Sequence, residues 1–428
     1  MKVDPPELPT SQWSYDDPGF WDEDALFREL RRVGDICHQC RRCLPLCPSF
    51  PKLFELVDAT DDEIAGVARA GFDEVNELCF HCKQCFNHCP YTPPHEWDVD
   101  FPQLMRRHQL VRTKRDGVPL SRRLATNTDL LGRVGRAAPA LLNLANTNRL
   151  SRVAMEKTVG IHRDWVMPSY TSDTVDRWFG ARGPRAEGAN GRAVLFTTCS
   201  VNYSDPAAGR AAVLVLERSD VRVDVCYERC CGMPHTDTGD LDAVRANARR
   251  NVDDLLPHVE AGAAVVVPGP SCSLLIRNEY PKLLGTEAAR RVADATIDLM
   301  EFLLRLGKEK RLNRDFTRPL GRVAYHAPCH LRAQNVGFPS RALLKAAGAD
   351  VVLVDACSGV DGTWGMQARF HDASMQVASR MLERIEAAEA DHVATECPLS
   401  ALRIEEATGR KALHPIVLLH RAYGGDEA

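Results

Sequence analysis

The sequence predicts an α+β multidomain protein: a mostly helical N-terminal domain followed by two duplicated α/β domains, each built on a short parallel sheet. Three observations carry that expectation. Eight cysteines crowd two runs between Cys37 and Cys89, and the sequence joining them is poor in β-branched residues. From residue 192 onward, short apolar runs alternate with helical stretches, as buried parallel strands do. Cysteines then mark a repeat: Cys199 and Cys329, Cys230 and Cys357, and Cys272 and Cys397 lie 130, 127 and 125 residues apart. So nearly constant an offset indicates duplication.

Composition narrows the class. A chain of 428 residues is too long for one core. The net charge of −4 argues against nucleic-acid binding, which needs a basic footprint. No run of apolar residues approaches the length that spans a bilayer, and residues 1–24 are acidic and Pro-rich with no apolar signal core. The expected location is therefore cytoplasmic. In that compartment sixteen grouped cysteines read as metal-binding or redox-active and not as a disulfide framework.

Taken in order, the elements are expected as follows. A helix over 22–33 leads into the first Cys run, and the connector 51–78 is helical, with Asp61, Asp62 and Glu63 ahead of its helical pattern. Residues 101–180 read as a bridging helix pair, basic in the middle through Arg106, Arg107, Arg112, Lys114, Arg115, Arg122, Arg123, Arg133 and Arg136. That basic segment, 106–136, is also a candidate for peripheral contact with an anionic membrane face or partner. Strands are expected at 193–197, 221–225 and 263–267, and again at 323–326, 351–354 and 393–395. Ile297-Asp-Leu-Met and Ile416-Val-Leu-Leu are matching helical tails. Domain boundaries are drawn at 1–105, 106–190, 191–310 and 311–428.

Cys37, Cys40, Cys43 and Cys47 run as C-x2-C-x2-C-x3-C ahead of Pro48; Cys79, Cys82, Cys85 and Cys89 repeat that spacing ahead of Pro90. Three thiolates three residues apart wrap three corners of a 4Fe–4S cubane, and the fourth, past a turn, reaches the other cluster. The expected sets are Cys37, Cys40, Cys43 and Cys89 for one cluster, and Cys79, Cys82, Cys85 and Cys47 for the other. Zinc also uses C-x2-C pairs, but it gives no purpose to the third Cys or the Pro. Arg41, Arg42 and Lys83 are interleaved with these ligands, and His38, His81 and His88 read as neighbours of the sites and not as ligands.

In the duplicated half the cysteines follow apolar runs, where open α/β sheets place ligands. Cys230-Cys231-Gly232-Met233-Pro234, with Cys199 before and Pro270-Ser271-Cys272-Ser273 after, resembles the cysteine-rich CCG domain. A second copy is marked by His326-Ala-Pro-Cys329-His330, Cys357-Ser358-Gly359 and Glu396-Cys397-Pro398. The whole arrangement is similar to the C subunit of anaerobic glycerol-3-phosphate dehydrogenase and to heterodisulfide reductase-related proteins, including the iron–sulfur type associated with rubrerythrin-like proteins. Adjacent Cys230 and Cys231, with Cys199 and Cys272, make a candidate third cluster, with Cys226 as an optional fifth ligand; the resemblance implies a non-cubane form. The second copy keeps Cys329, Cys357 and Cys397, with Ser358 and Ser400 where thiols are expected. It holds either a fourth cluster, with His326 or His330 as further candidates, or none.

No G-x-G-x-x-G follows a strand and no Walker sequence is present, so the sequence offers no flavin or NAD site in this chain. Several electron carriers without a hydride site imply a relay. The expected function is that of an iron–sulfur electron-transfer subunit of an oxidoreductase complex, partnered by a flavoprotein dehydrogenase subunit or a rubrerythrin-like protein. The alternatives are a reductase acting on a disulfide or quinone at the CCG repeats, or an electron donor to a rubrerythrin-like peroxidase.

Overall fold

A computed structural model describes residues 5–426. The chain divides into two compact units. The first takes the chain up to Pro119 together with Asp237–Leu241; the second takes Leu120–Thr236 and everything from Asp242 on.

Five helices build the first unit: α1 (Glu23–Cys40), α2 (Ser49–Asp58), α3 (Arg69–Glu77), α4 (Gln84–His88) and α5 (Phe101–Asp116). α1 starts where the Asp22 carboxylate accepts the Ala25 N–H at 2.7 Å. Its buried stripe of Leu26, Leu30, Val33 and Ile36 keeps helical spacing past the expected end at 33. The helix therefore continues to Cys40 and stops at Arg41, whose φ is 50°. Cys37 and Cys40 lie on its last turn.

Two buried polar side chains tie the unit together. Ser49 Oγ donates to the Val75 carbonyl at 2.8 Å, pinning α2 to α3, and Asn76 Nδ2 donates to the Met105 carbonyl at 2.7 Å, pinning α3 to α5. Around them pack Phe50, Leu53, Phe72, Val75, Leu104 and Met105, and Cys79 is part of the same core. The connector is helical, as its composition indicated.

α5 departs from expectation. Arg107 is 2% exposed and donates to the carbonyls of Phe20 (2.7 Å) and Gly19 (2.8 Å). Arg112 pairs with Glu77 at 3.1 Å, and Lys114 lies over the Trp21 ring. Arg107, Arg112 and Lys114 are taken up inside their own unit.

In the second unit the expected helix pair is five short helices: α6 (Leu120–Thr126), α7 (Thr128–Ala137), α8 (Pro139–Thr147), α9 (Arg149–Val159) and α10 (Val175–Arg182). The sequence supplies the breaks. Asn127 caps α7 by accepting the Leu130 N–H, Pro139 opens α8, and Asn148 caps α9 through the Leu150 and Ser151 N–H groups.

Two four-stranded sheets follow. β1 (Arg192–Phe196), β2 (Arg222–Cys226), β3 (Ala263–Val267) and β4 (Thr296–Asp298) are ordered β2-β1-β3-β4; β5 (Arg322–His326), β6 (Asp350–Val354), β7 (His392–Ala394) and β8 (Ala412–Leu413) are ordered β6-β5-β7-β8. All pairings are parallel. Six strands match the expected runs to within two residues. β4 and β8 are two- or three-residue edge strands, too short to carry an apolar run of their own; β4 takes in Ile297 at the start of the first tail, whereas β8 ends before Ile416 and the second tail is helical as expected. One apolar core serves both sheets, with Leu195, Val266 and Leu303 of the first half packed in the same cluster as Val323, Tyr325 and Ile416 of the second.

Gly359, in the second Cys-rich turn, has φ +67°, and a Cβ there would lie 2.1 Å from the Ser374 carbonyl oxygen. Gly409 has φ +68° with nothing within 4 Å. Gly409→Ala is expected to cost about 1 kcal/mol from backbone conformation alone, and Gly359→Ala at least about 3 kcal/mol or failure to fold. Chemical denaturation of the two variants side by side checks the difference.

Candidate metal centres

Cys37, Cys40, Cys43 and Cys89 line one pocket, with Ile36, Arg42, Pro90, Tyr91 and Val99 as the rest of its wall. α1 brings the first two, the turn after Arg41 brings Cys43, and Cys89 follows α4. Burial pushes the Cys37 thiol well above the usual range, and the neighbouring Cys43, Cys89 and Cys40 add to it. Cys43 is pushed up to about 12, chiefly by burial and against the opposing charge of Arg42. The Tyr91 N–H points at Cys89 Sγ at 3.4 Å.

Cys85 has Cys82, Cys79 and Cys47 as its nearest charged neighbours after burial itself, and it too is held well above the usual range. Cys47 is pushed up to about 12 by burial and then Cys82, although the Ser49 and Phe50 N–H groups work the other way. All sixteen cysteines are free thiols. Anionic sulfurs this crowded need positive charge among them; ligated iron supplies it, and a coordinating thiol is deprotonated outright. The sulfur-and-hydrocarbon lining fits a 4Fe–4S group, which supplies one-electron redox chemistry when bound.

The second unit gathers four more thiols. Cys199 follows β1, Cys230 and Cys231 follow β2, and Cys272 follows β3, so the group straddles the point between β1 and β3 where the strand order reverses. Cys231 and Cys272 Sγ are 3.0 Å apart; Cys230 and Cys199 Sγ are 3.9 Å apart. Gly232, at φ +101°, lets the turn double back so that its N–H meets Cys230 Sγ at 3.5 Å. The Cys230 thiol is held well below its ordinary value by sharing hydrogen bonds with Cys199 and Cys231. This donor set also fits an iron–sulfur group. Cys226 stands apart: its charged neighbours are Asp254, Glu228 and Arg250, not the thiols.

One residue here escaped the sequence reading. Asp129, buried on α7, accepts the Tyr227 hydroxyl at 2.7 Å and the Cys230 N–H at 3.0 Å. It fixes the two-cysteine turn from a hundred residues away. Asn251 adds a hydrogen bond to the Cys230 carbonyl at 3.1 Å, and Tyr280 donates to the Cys231 carbonyl at 2.7 Å. The signal in the sequence was one of the two acids, with Asp116, in the basic stretch 106–136.

In the second repeat, Cys329, Cys357 and Cys397 take matching places after β5, β6 and β7. Ser358 and Ser400 hydroxyls bond to each other at 2.9 Å. Both His326 nitrogens are engaged, with Thr395 Oγ1 and the Ala356 carbonyl, each at 3.1 Å. His330 Nδ1 meets Ser271 Oγ at 2.8 Å. The Cys397 thiol is raised by burial, and its other influences are Ser400, Leu399 and Glu396.

Two outcomes follow. Asp129→Leu strips the acceptor from a buried hydroxyl and a buried N–H and is expected to cost about 2–4 kcal/mol, against about 1 kcal/mol for Tyr227→Phe; denaturation midpoints measure both. Burial holds His326 down to about 4, below its value of about 6.5 in an unfolded chain. Its contribution is intact above pH 6.5 and is lost as pH falls toward 4. The stability gap between wild type and His326→Gln therefore narrows over that window, as read by melting temperature.

Residues 30–115 match the citrate utilization protein B Fer4-like domain, and residues 193–277 and 323–404 each match the cysteine-rich CCG domain. The chain is 28% identical over 324 residues to the C subunit of anaerobic glycerol-3-phosphate dehydrogenase from Escherichia coli (strain K12), covering 73% of this chain and 80% of that one. It is 29% identical over 245 residues to the B subunit of fumarate reductase (CoM/CoB) from Methanothermobacter marburgensis, covering 54% and 46%. Lactate utilization protein A of Geobacillus sp. (strain WCH70) is 28% identical over 211 residues, covering 46% and 84%. With four thiols lining one pocket and four more gathered at a sheet switch point, the chain combines one match to the Fer4-like domain with two matches to the cysteine-rich CCG domain, and is similar to the C subunit of anaerobic glycerol-3-phosphate dehydrogenase.

Proposed function

We propose that this chain is the iron–sulfur electron-transfer subunit of an oxidoreductase complex, relaying single electrons between a flavoprotein or other redox subunit and a further acceptor. The observation that carries the reading is the eight-thiol arrangement of the first unit, joined in one chain to a four-thiol group at the end of a parallel sheet. The named relatives include subunits of a dehydrogenase and a reductase. Cys37, Cys40, Cys43 and Cys89 hold one 4Fe–4S cluster; Cys79, Cys82, Cys85 and Cys47 hold the second. Cys199, Cys230, Cys231 and Cys272 hold a third, and the second repeat serves as its scaffold, a role supported by its bonded serine pair and the fully engaged His326. The domain divisions at 105, 190 and 310 follow the same reading, with the connector shared between the two units.

A second feature bears on location. No helix among the described residues is long and apolar enough to cross a membrane. Of nine large apolar side chains exposed among those residues, eight lie on α6–α9: Leu120, Leu124, Leu130, Val134, Leu141, Leu144, Leu150 and Val159. Arg122, Arg123, Arg133 and Arg149 are interleaved with them. Apolar and cationic side chains mixed on short helices suit a surface that lies on anionic lipid. Peripheral membrane contact is thus assigned to 120–159, because Arg107, Arg112 and Arg115 are already engaged.

Anaerobically purified protein is expected to hold about 12 irons with matching sulfide; a value near 8 removes the third cluster, about 16 adds a fourth, and none ends the reading. Vesicles containing phosphatidylserine should sediment the protein at low salt and release it at high salt. Leu141→Glu with Leu144→Glu should abolish sedimentation, and sedimentation that persists in this variant refutes the membrane assignment.

A further inference from the structure

The pocket of the first unit has a rim that the relay reading leaves unused. Among the eight thiols of this unit, Cys40 is the exposed one. Two residues beyond it, Arg42 is exposed and lines the pocket. Its side-chain partner is His88, whose Nε2 accepts from Arg42 Nε at 3.3 Å, and among the described residues no carboxylate pairs with either. Next in the loop, Leu44 is 48% exposed, the one large apolar side chain so placed in this unit among the described residues. Pro45 follows it in the chain and Pro90 lines the pocket, both exposed.

A leucine held in water at the mouth of a cavity lined by four thiols costs apolar hydration that a covering surface would recover. The Arg42 guanidinium lines the thiol pocket and has no carboxylate partner among the described residues. Both are relieved by a partner that brings carboxylates around a small apolar contact. Arg41 already has its acid, Asp58 at 2.6 Å, so the unmatched charge is confined to the Arg42–His88 side.

We infer that the Cys40–Leu44 loop with His88 is the docking face for a small acidic electron-carrier protein. It rests on the cluster assigned to Cys37, Cys40, Cys43 and Cys89. In the docked pair one electron passes across the face: the carrier is oxidised by one electron as this site is reduced by one, or the reverse, and no bond is made or broken. Charge complementarity speeds encounter more than it tightens binding, so the face is read out in association rate.

The test is anaerobic stopped-flow mixing of the oxidised full-length protein with a reduced plant-type 2Fe–2S ferredoxin, an acidic carrier, over a range of salt. The wild-type rate constant is expected to fall with rising salt, and to fall at least tenfold in Arg42→Glu and in Leu44→Glu. Leu141→Glu, on the second unit, should leave it unchanged. Iron, sulfide and the EPR spectrum of each variant are measured in parallel. Loaded variants that react as fast as wild type, or a wild-type rate that does not respond to salt, overturn the docking face and leave the cluster reading intact. Wild-type protein without iron overturns both. Should Arg42→Glu lose iron, Leu44→Glu, whose side chain is not part of the pocket wall, decides the matter.

Discussion

Everything in this molecule turns on the cost of gathering thiolate sulfur. A thiol removed from water resists ionisation, and each neighbouring sulfur adds repulsion; Cys37, Cys47 and Cys85 all carry that double burden, with burial the larger part. No core of this size would crowd such groups without recompense. Backbone N–H groups provide some of it, at Cys89 from Tyr91 and at Cys230 from Gly232. A polynuclear iron group would provide the rest.

The two kinds of helix end place sulfur in electrostatically opposite settings. Cys37 and Cys40 lie on the last turn of α1, where helix carbonyls point outward and disfavour an anion. Cys272 lies in the first turn of the helix Pro270–Asn278, and Cys397 is the N-cap of Pro398–Thr408, where N–H groups favour one. The charge of Arg42, directly after α1, works against the cost at Cys43 and Cys89. Sheet topology explains the rest of the second unit: a strand order that reverses beside β1 leaves a crevice at the carboxyl ends, and loops from β1, β2 and β3 converge there.

Duplication accounts for the architecture but not for equality of the halves. The sheets share one order and one core, and the repeats interlock close to their cysteines, through Ser271 with His330 and through His414 Nε2 donating to the Pro268 carbonyl at 2.8 Å. Yet Ser358 stands where the first half has Cys231, and its hydroxyl bonds to Ser400 at 2.9 Å. Shape and packing are retained while one soft ligand is exchanged for a neutral hydrogen bond.

Spacing and periodicity are local properties, and what they govern was legible in the sequence: two four-cysteine runs, a helical connector, six of eight strands and the repeat itself. Thiolates at fixed short intervals on a chain of known stiffness have few places to go. Other features depend on segments far apart in sequence that meet only in the folded chain. Asp129 became a brace for Cys230, and Arg107 was withdrawn into a core by the carbonyls of Gly19 and Phe20. The short strands β4 and β8 exist because β3 and β7 offer an edge to pair with. Hydrogen bonds of that range are decided by which surfaces the core brings together, and no window of sequence contains both partners.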